Sequence, residues 1–555
     1  MVRFSSFSTY PRRFILSDLK AGFITSVVAL PLAIAFAIAS GASPIMGMYT
    51  AVVAGILGAV FGGSRFSITG PTGAMTVIIL ATVNKHGLEG LFLAGLLAGL
   101  MQIGFGLLKI GRIVKYIPLP VVTGFTAGIG AIIFIGQLAN AFGVTIPPEE
   151  LLVNTVFDVA AHIGDANPIA VTITLFTILS LALIPRIQSK LTFLQNVPPS
   201  VVPLALSIAA TWFLALNVPQ VGEIPTGWPE FRWLNIDFDL LNNVLPAALT
   251  IALLGAIEAL LCAVVCDSMT STKHDSDREL IGQGIANVAM PFMSGIPATA
   301  AIARSAVNIR EGAKSRLAAV IHSLFILIYI FLLAPVVAFV PKAFLAGILM
   351  FVSARMIDFG EFRTISRISR NDMLVLYITF FLTVFTDLVF AVQVGIIIAI
   401  GLLFVRLVNN LDVEYVEAHE LSDEISALIT SHEKIQKSVG VYTIHGPFFF
   451  GTMSIFEKKV DEHMHVGKPI TLLRMKYVPF IDSTGLVRLA SFIKNKRKRG
   501  GYVLMSGVRG TILATLMADH DFREVMPREH IFDRSAEAIE YIETKLLAKV
   551  EKGSK

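Results

Sequence analysis

Apolar runs of about 18 to 24 residues recur from about Ala21 to about Leu407, and this repetition leaves little choice of fold. A helix needs about 20 apolar residues to cross a hydrocarbon core ~30 Å thick, so this part of the chain is expected to be an all-α polytopic membrane domain. Composition agrees: 15% of residues are charged and the mean hydropathy is +0.72, against roughly 25% charged in soluble domains. The N-terminus leads straight into a full-length span, so no cleavable signal peptide is expected. After about Val413 charged residues become frequent and apolar runs shorten, which predicts a soluble domain of about 120 residues.

Charge flanks set the expected orientation. Arg3, Arg12, Arg13 and Lys20 precede or open the first span. Arg65, then Lys109, Arg112 and Lys115, then Arg186 and Lys190, mark alternate loops, as do Lys273 and Arg278, Arg310, Lys314 and Arg316, Arg355, Arg363, Arg367 and Arg370, and Arg406. The intervening loops are acidic: residues 141–166 carry Glu149, Glu150, Asp158 and Asp165 without Lys or Arg, and residues 218–242 carry four acids against Arg232. The positive-inside rule then places both termini and the soluble domain in the cytoplasm. An even number of crossings follows, and about fourteen segments fit.

Several classes are set aside. The net charge of +5 is dispersed, and the cluster "KNKRKRG" (Lys494–Gly500) lacks the interleaved aromatics of a nucleic-acid surface, so it reads as a solvated helix end. Cys262 and Cys266 lie four residues apart in one apolar helix with only His274 nearby, which excludes a disulfide framework and argues against zinc. They read as small packing residues. No metal cluster, cofactor motif or catalytic triad stands among the spans, so an enzyme is not expected.

Two stretches break the pattern: "GGSRFSITGPTGAMTVIIL" (62–80) and "SGIPATAAIARSAVNIREG" (294–312). Each places Gly and Pro ahead of a helix of about three turns, too short to cross unaided. Irregular backbone at membrane depth needs protein or water to satisfy its polar groups, so each break is a candidate site. Pro31 precedes Pro71 by 40 residues and Glu258 precedes Pro297 by 39. The first unit starts inside and the second outside, which makes them inverted copies, and broken segments at matching places in inverted halves point to a transporter's substrate site. Two kinks that merely ease packing are the plain alternative.

Two short helices starting near the midplane would face their N-termini at one another. Each N-terminus carries unpaired N–H groups and about half a positive charge, so the pair would attract an anion. Ser67, Thr69 and Thr72 surround the first N-terminus; Thr299 and Arg304 belong to the second. An unpaired guanidinium at that depth is costly: Arg304 either pairs structurally with Glu258 or binds an oxyanion through its planar fork. Glu258 stands alone in about twenty apolar residues, and a carboxylate there can take up and release a proton within a transport cycle. Phe36 and Leu32 form an apolar wall or simply pack.

At these residues the chain resembles the SulP anion-transporter family, related to pendrin and prestin. The matching stretches are "GGSRFSITGPT", "GAIEALLCAVVCDSMTSTKHDSDRELIGQGIANV" and "ATAAIARSAVNIREGA". The resemblance covers nearly the whole chain and implies a seven-plus-seven inverted repeat, a core domain moving against a gate domain, and short strands leading into the third and tenth helices. It maps a substrate site onto Phe36, Thr72, Ala303 and Arg304, with Glu258 as the proton-coupling group. Sodium-coupled bicarbonate members carry Asp where this chain has Glu258, Thr where it has Cys262, and no arginine at Arg304, so proton coupling gains over sodium. "IARSA" with "AIEALLCAVV" looks closest to the bacterial branch that takes up C4-dicarboxylates such as succinate, fumarate and aspartate. A proton-coupled sulfate permease, a bicarbonate transporter and a channel-like anion protein stand as alternatives.

The expected layout is a cytoplasmic segment 1–17, a transporter domain 18–410, a linker 411–435, a soluble α/β domain 436–550 and a tail 551–555. In the soluble part strand-like runs ("GVYTIHGPFFF", "PITLLRM", "YVLMSG") alternate with helical ones ("TGLVRLASFIKNKRK", "RGTILATLMADH"). "YVPFIDSTGL" resembles the STAS domain that follows SulP transporters. By that resemblance Ser483 or Thr484 lies where related anti-sigma-factor antagonists are phosphorylated; the plain reading is a helix N-cap. The resemblance further implies a homodimer in the lipid of a bacterial inner membrane, with a cytosolic regulator as a further partner.

Overall fold

The computed structural model describes residues 12–112, 118–146, 152–188, 198–229, 231–234, 238–386, 388–416, 433–464 and 468–549. Arg3, Lys115, Glu149, Glu150, Lys190, most of segment 411–435 and the tail 551–555 lie outside them. The chain forms two compact units, Met1–Ala399 and Ile400–Lys555.

The first unit opens with helices α1 (Ile15–Ala39) and α2 (Pro44–Phe61), a two-residue strand β1 (Thr69–Gly70) and α3 (Gly73–Leu107). Gly87 (φ 68°, ψ −174°) breaks α3; this conformation is essentially reserved for glycine. Residues 73–86 therefore form a short helix of about 21 Å, and residues 88–107 a separate span. Then follow α4 (Leu119–Gly136), α5 (Pro168–Gln188) and α6 (Val201–Phe213).

The second half repeats the order. Helices α7 (Phe238–Thr270) and α8 (Ser276–Ala289) lead into β2 (Thr299–Ala300) and α9 (Ile302–Arg310). Then come α10 (Leu317–Val337), α11 (Lys342–Met356), α12 (Arg370–Phe385) and α13 (Leu388–Asn409). Counting α3 as two, fourteen principal segments are present among the described residues, as the sequence implies. The expected three turns apiece become nearly four for residues 73–86 and two and a half for α9, about 14 Å long.

The halves meet at their breaks. β1 and β2 pair antiparallel, Thr69 opposite Ala300 and Gly70 opposite Thr299, the sense expected of inverted copies. Around them α7 and α8 pack on α3, α8 also packs on α2, and α1 packs on α2, α9 and α10.

In the second unit a five-stranded sheet runs β3 (Asp412–Val416), β4 (Val439–His445), β5 (Ile470–Tyr477), β6 (Tyr502–Ser506), β7 (Ile531–Phe532), adjacent in that order. Only β3–β4 is antiparallel. Side-chain alternation splits the core: Val439, Val441, Ile470 and Leu472 join one apolar cluster, while Tyr442, Ile444, Leu473 and Met475 join another. The strand expected through "PFFF" stops earlier, at Gly446, whose φ of 114° turns the chain. Helix α14 (Met453–Met464) follows, and α15 (Ser483–Lys498) and α16 (Gly510–Ala518) cover the helical runs.

His530, just before β7, is buried, and that burial holds its imidazole below the ordinary histidine value. The folded state thus resists a proton that the unfolded chain accepts below about pH 6.5. Stability of this unit is expected to fall as pH drops through that value, and His530→Phe to flatten the fall. Thermal melting of both proteins at pH 7.5 and 5.5 checks this.

Candidate functional site

The broken stretches are held by buried side chains that supply what regular structure does not. Asn287 on α8 accepts from the Ala298 N–H at 2.7 Å and donates to the Ala298 carbonyl at 2.9 Å and to Gln102 at 2.8 Å. Glu279, one face along α8, accepts from the N–H groups of Gly63 and Ser64, both at 2.8 Å. Gln283 donates to Glu279 and to Thr69 Oγ1, each at 3.0 Å. Thr50 on α2 accepts from Ile296 N–H at 2.8 Å and donates to its carbonyl at 3.2 Å. Ser305 accepts from Ile68 N–H at 2.8 Å, tying α9 to the chain entering β1. The irregular backbone is satisfied by protein, which meets the condition for its survival at membrane depth.

These residues escaped the sequence reading. Their signal was present: Glu279, Gln283 and Asn287 recur at intervals of four, so they share one helix face.

At the head of α3 and α9 the expected site residues separate into roles. Pro71 and Thr72 lie between the two charged groups. The Pro71 carbonyl accepts from Arg304 Nη2 at 2.6 Å, and the Thr72 hydroxyl donates to Glu258 Oε2 at 2.8 Å. Arg304 is 1% exposed, its Nη1 has no partner among the described residues, and it does not meet Glu258 within the 4.0 Å of an ion pair. Each charge does lie in the other's field. The direct structural pair is not formed because consecutive backbone and side-chain groups of one turn intervene.

Gly70 leaves room for the guanidinium: a Cβ there would stand 2.8 Å from Nη1. Phe36 is buried, and its ring edge, with Ile133 and Met356, covers Gly73 at the start of α3. Leu32 is buried in the same core. Ala303 is exposed and Glu258 half-buried, whereas Arg304 and Thr72 are buried.

Thr69 and Thr299 do not face this point. Thr69 is taken by Gln283, and Thr299 donates to the Gly255 carbonyl at 3.0 Å, both buried to 1% or less. Ser67 and Ser305 lie beside Cys262, whose Sγ is 3.2 Å from Ser305 Oγ and 3.9 Å from Ser67 Oγ; the cysteine is packing with a weak thiol contact. In the second unit Asp482 caps α15, accepting from Gly485 N–H at 2.6 Å. Ser483 and Thr484 are exposed in the first turn and cap nothing.

Residues 15–379 match the sulfate permease family model, and residues 432–538 match the STAS domain. The chain belongs to the sulfate permease family. As a member it is a multi-pass membrane protein with a C-terminal STAS domain. YvdB of Bacillus subtilis (strain 168), provisionally named a sulfate transporter, is 36% identical over 97% of this chain and 99% of its own length. The bicarbonate transporter BicA of Synechocystis sp. is 32% identical over 94% and 93% of the two chains. The solved transmembrane domain of a cyanobacterial BicA covers 71% of this sulfate permease family chain and 99% of its own, at 34% identity and a TM-score of 0.61. The structure of SLC26A9 superposes over 98% of this chain and 92% of its own with a TM-score of 0.86 at 17% identity, which shows the shared fold.

Proposed function

We propose that this chain is a secondary active transporter that carries a small oxyanion together with a proton. One observation carries the reading: a fully buried guanidinium, with one amino group unpartnered among the described residues, stands at the meeting point of two short helix N-termini. Helix N-termini favour an anion, and a buried cation without a bonded carboxylate needs one. Arg304 and the backbone N–H groups near Thr72 and Ala303 bind the anion, Phe36 walls the site, and Glu258, which accepts from the Thr72 hydroxyl, carries the proton. Loading of the anion and of the proton then bear on the same turn of chain.

Sulfate leads among substrates because YvdB, similar over the whole chain, bears that name. C4-dicarboxylates form the second reading, resting on the "IARSA" and "AIEALLCAVV" stretches and on the fit of a planar fork to carboxylate. Bicarbonate, named for BicA, follows; Glu258, Cys262 and Arg304 depart from the pattern of the family's sodium-coupled bicarbonate members. The basic and acidic loops support a cytoplasmic location for both termini and the STAS domain. The family resemblance supports an inner-membrane homodimer, an elevator-like movement, and a regulatory partner at the exposed hydroxyls of Ser483 and Thr484.

Uptake into proteoliposomes decides. With an inward proton gradient, labelled sulfate, succinate, fumarate and bicarbonate are compared with and without sodium. Concentrative, sodium-independent uptake of at least one anion is expected. Downhill currents far above carrier turnover, without accumulation, would replace the carrier with a channel.

A further inference from the structure

Around Arg304, helices α9 and α10, each packed on α1, carry buried polar side chains that nothing above employs. Ala21 of α1 and Ala318 of α10 share one apolar cluster with Phe66, Cys262 and Ala313, and Ile309 of α9 packs on it. One turn further along α1 and α10 stand Thr25 and His322. The two helices run close there: a Cβ at Gly22 would stand 2.7 Å from the Ala318 carbonyl, and Ser26 bonds to Tyr329 at 3.0 Å. From α9, which packs on α1, Arg304 and Asn308 present one face. The charge of Arg304 acts on His322.

Thr25, His322 and Asn308 are 0% exposed and Arg304 1%. Five of their atoms, Thr25 Oγ1, His322 Nδ1 and Nε2, Asn308 Oδ1 and Arg304 Nη1, have no hydrogen-bond partner among the described residues. Buried polar atoms are seldom left so, and five of them on α9, α10 and the α1 helix that packs on both point to a shared partner. Together they offer a pure donor in Arg304 Nη1, a pure acceptor in Asn308 Oδ1, and groups of both kinds in the imidazole and hydroxyl. A molecule that gives and takes hydrogen bonds and fits a buried space matches that set, which is the description of internal water.

We propose that Thr25, His322, Asn308 and Arg304 enclose an ordered-water site, and that His322 is a positioning residue which, through that water, holds the guanidinium for the anion. The functional half of this inference rests on the reading of Arg304 as an anion-binding group. Water that accepts from one N–H of Nη1 leaves the second N–H for the anion and does not neutralise the guanidinium, so the cation keeps its charge and a fixed orientation. A carboxylate in the same place would cancel the charge that the site uses.

The test compares His322→Leu, which removes both ring nitrogens, with His322→Gln, which keeps a donor and an acceptor. Labelled sulfate and succinate uptake gives KM and kcat, and thermal melting is followed in the same detergent. His322→Leu is expected to raise KM about tenfold, the worth of one hydrogen bond to a charged group, with kcat within about threefold and a lower melting temperature. His322→Gln should restore both. An unchanged KM together with a higher melting temperature in His322→Leu would overturn the proposal, since a dry, orphaned imidazole is better replaced by an apolar side chain.

Should His322→Leu fail to fold, Thr25→Val takes its place, with a raised KM expected and an unchanged one counting against the site. If the wild type takes up neither anion, the transport reading falls. Melting alone then judges the water site: a loss in His322→Leu recovered by His322→Gln supports it, and a gain refutes it.

Discussion

Arg304→Ala is expected to lower kcat/KM for the transported anion by at least about a hundredfold. Two charge-assisted hydrogen bonds from a guanidinium contribute about 1.5–3 kcal/mol each, and each 1.4 kcal/mol is a factor of about ten. The two helix N-termini, at about 0.3–2 kcal/mol each, cannot replace them. Arg304→Lys should recover only part of the loss, because it returns the charge without the planar fork. The substitution also frees the Pro71 carbonyl, now bonded at 2.6 Å, so melting must be measured alongside. Uptake by Arg304→Ala within about threefold of wild type, in protein of ordinary stability, would make Arg304 a structural residue and remove the basis of the proposed function.

The second large effect concerns Glu258. A gradient of about 2 pH units stores about 2.7 kcal/mol per proton, which can drive about a hundredfold accumulation. Glu258→Gln keeps the shape and an oxygen to accept from Thr72, bonded at 2.8 Å in the native chain, but cannot exchange a proton. Accumulation driven by the gradient is expected to drop to about one, while exchange of labelled for unlabelled anion continues. Gradient-driven accumulation that survives in Glu258→Gln would exclude this carboxylate as the proton carrier. Loss of exchange as well would mean that Glu258 also shapes the anion site.

Much of this was legible from residue pattern. Long apolar runs give the spans, and the Gly–Pro breaks at Pro71 and Pro297 mark the short helices, because those features are local. The partnerships are not local. Nothing near Asn287 in sequence says that it will hold Ala298 at both its N–H and its carbonyl, and only the stripe it forms with Glu279 and Gln283 hints at a role. Thr69 and Thr72 look equivalent in "ITGPT", yet one hydroxyl is spent on Gln283 and the other reaches Glu258. Their places in the fold set that difference: Thr69 lies in β1, whereas Thr72 stands beyond it, at the head of α3. Asp482 likewise takes the capping role that the neighbouring Ser483 and Thr484 suggest for themselves, because its extended backbone lies one residue outside the helix.

The two-residue pair of β1 and β2 also bears on how such a chain can vary over time. Gly70 lies against the guanidinium, while a side chain at Gly58 would collide with Thr69. A strand has a side-chain period of two, so a single-residue insertion or deletion between Gly63 and Thr69 would exchange the faces. An insertion would bring a threonine against Arg304, and a deletion would set a glycine where Gln283 now finds its partner. Substitutions in this stretch can be absorbed one contact at a time, but a change of length cannot. Its lineage should therefore drift in letters and hold fast in spacing, unlike the surface loops, which tolerate both.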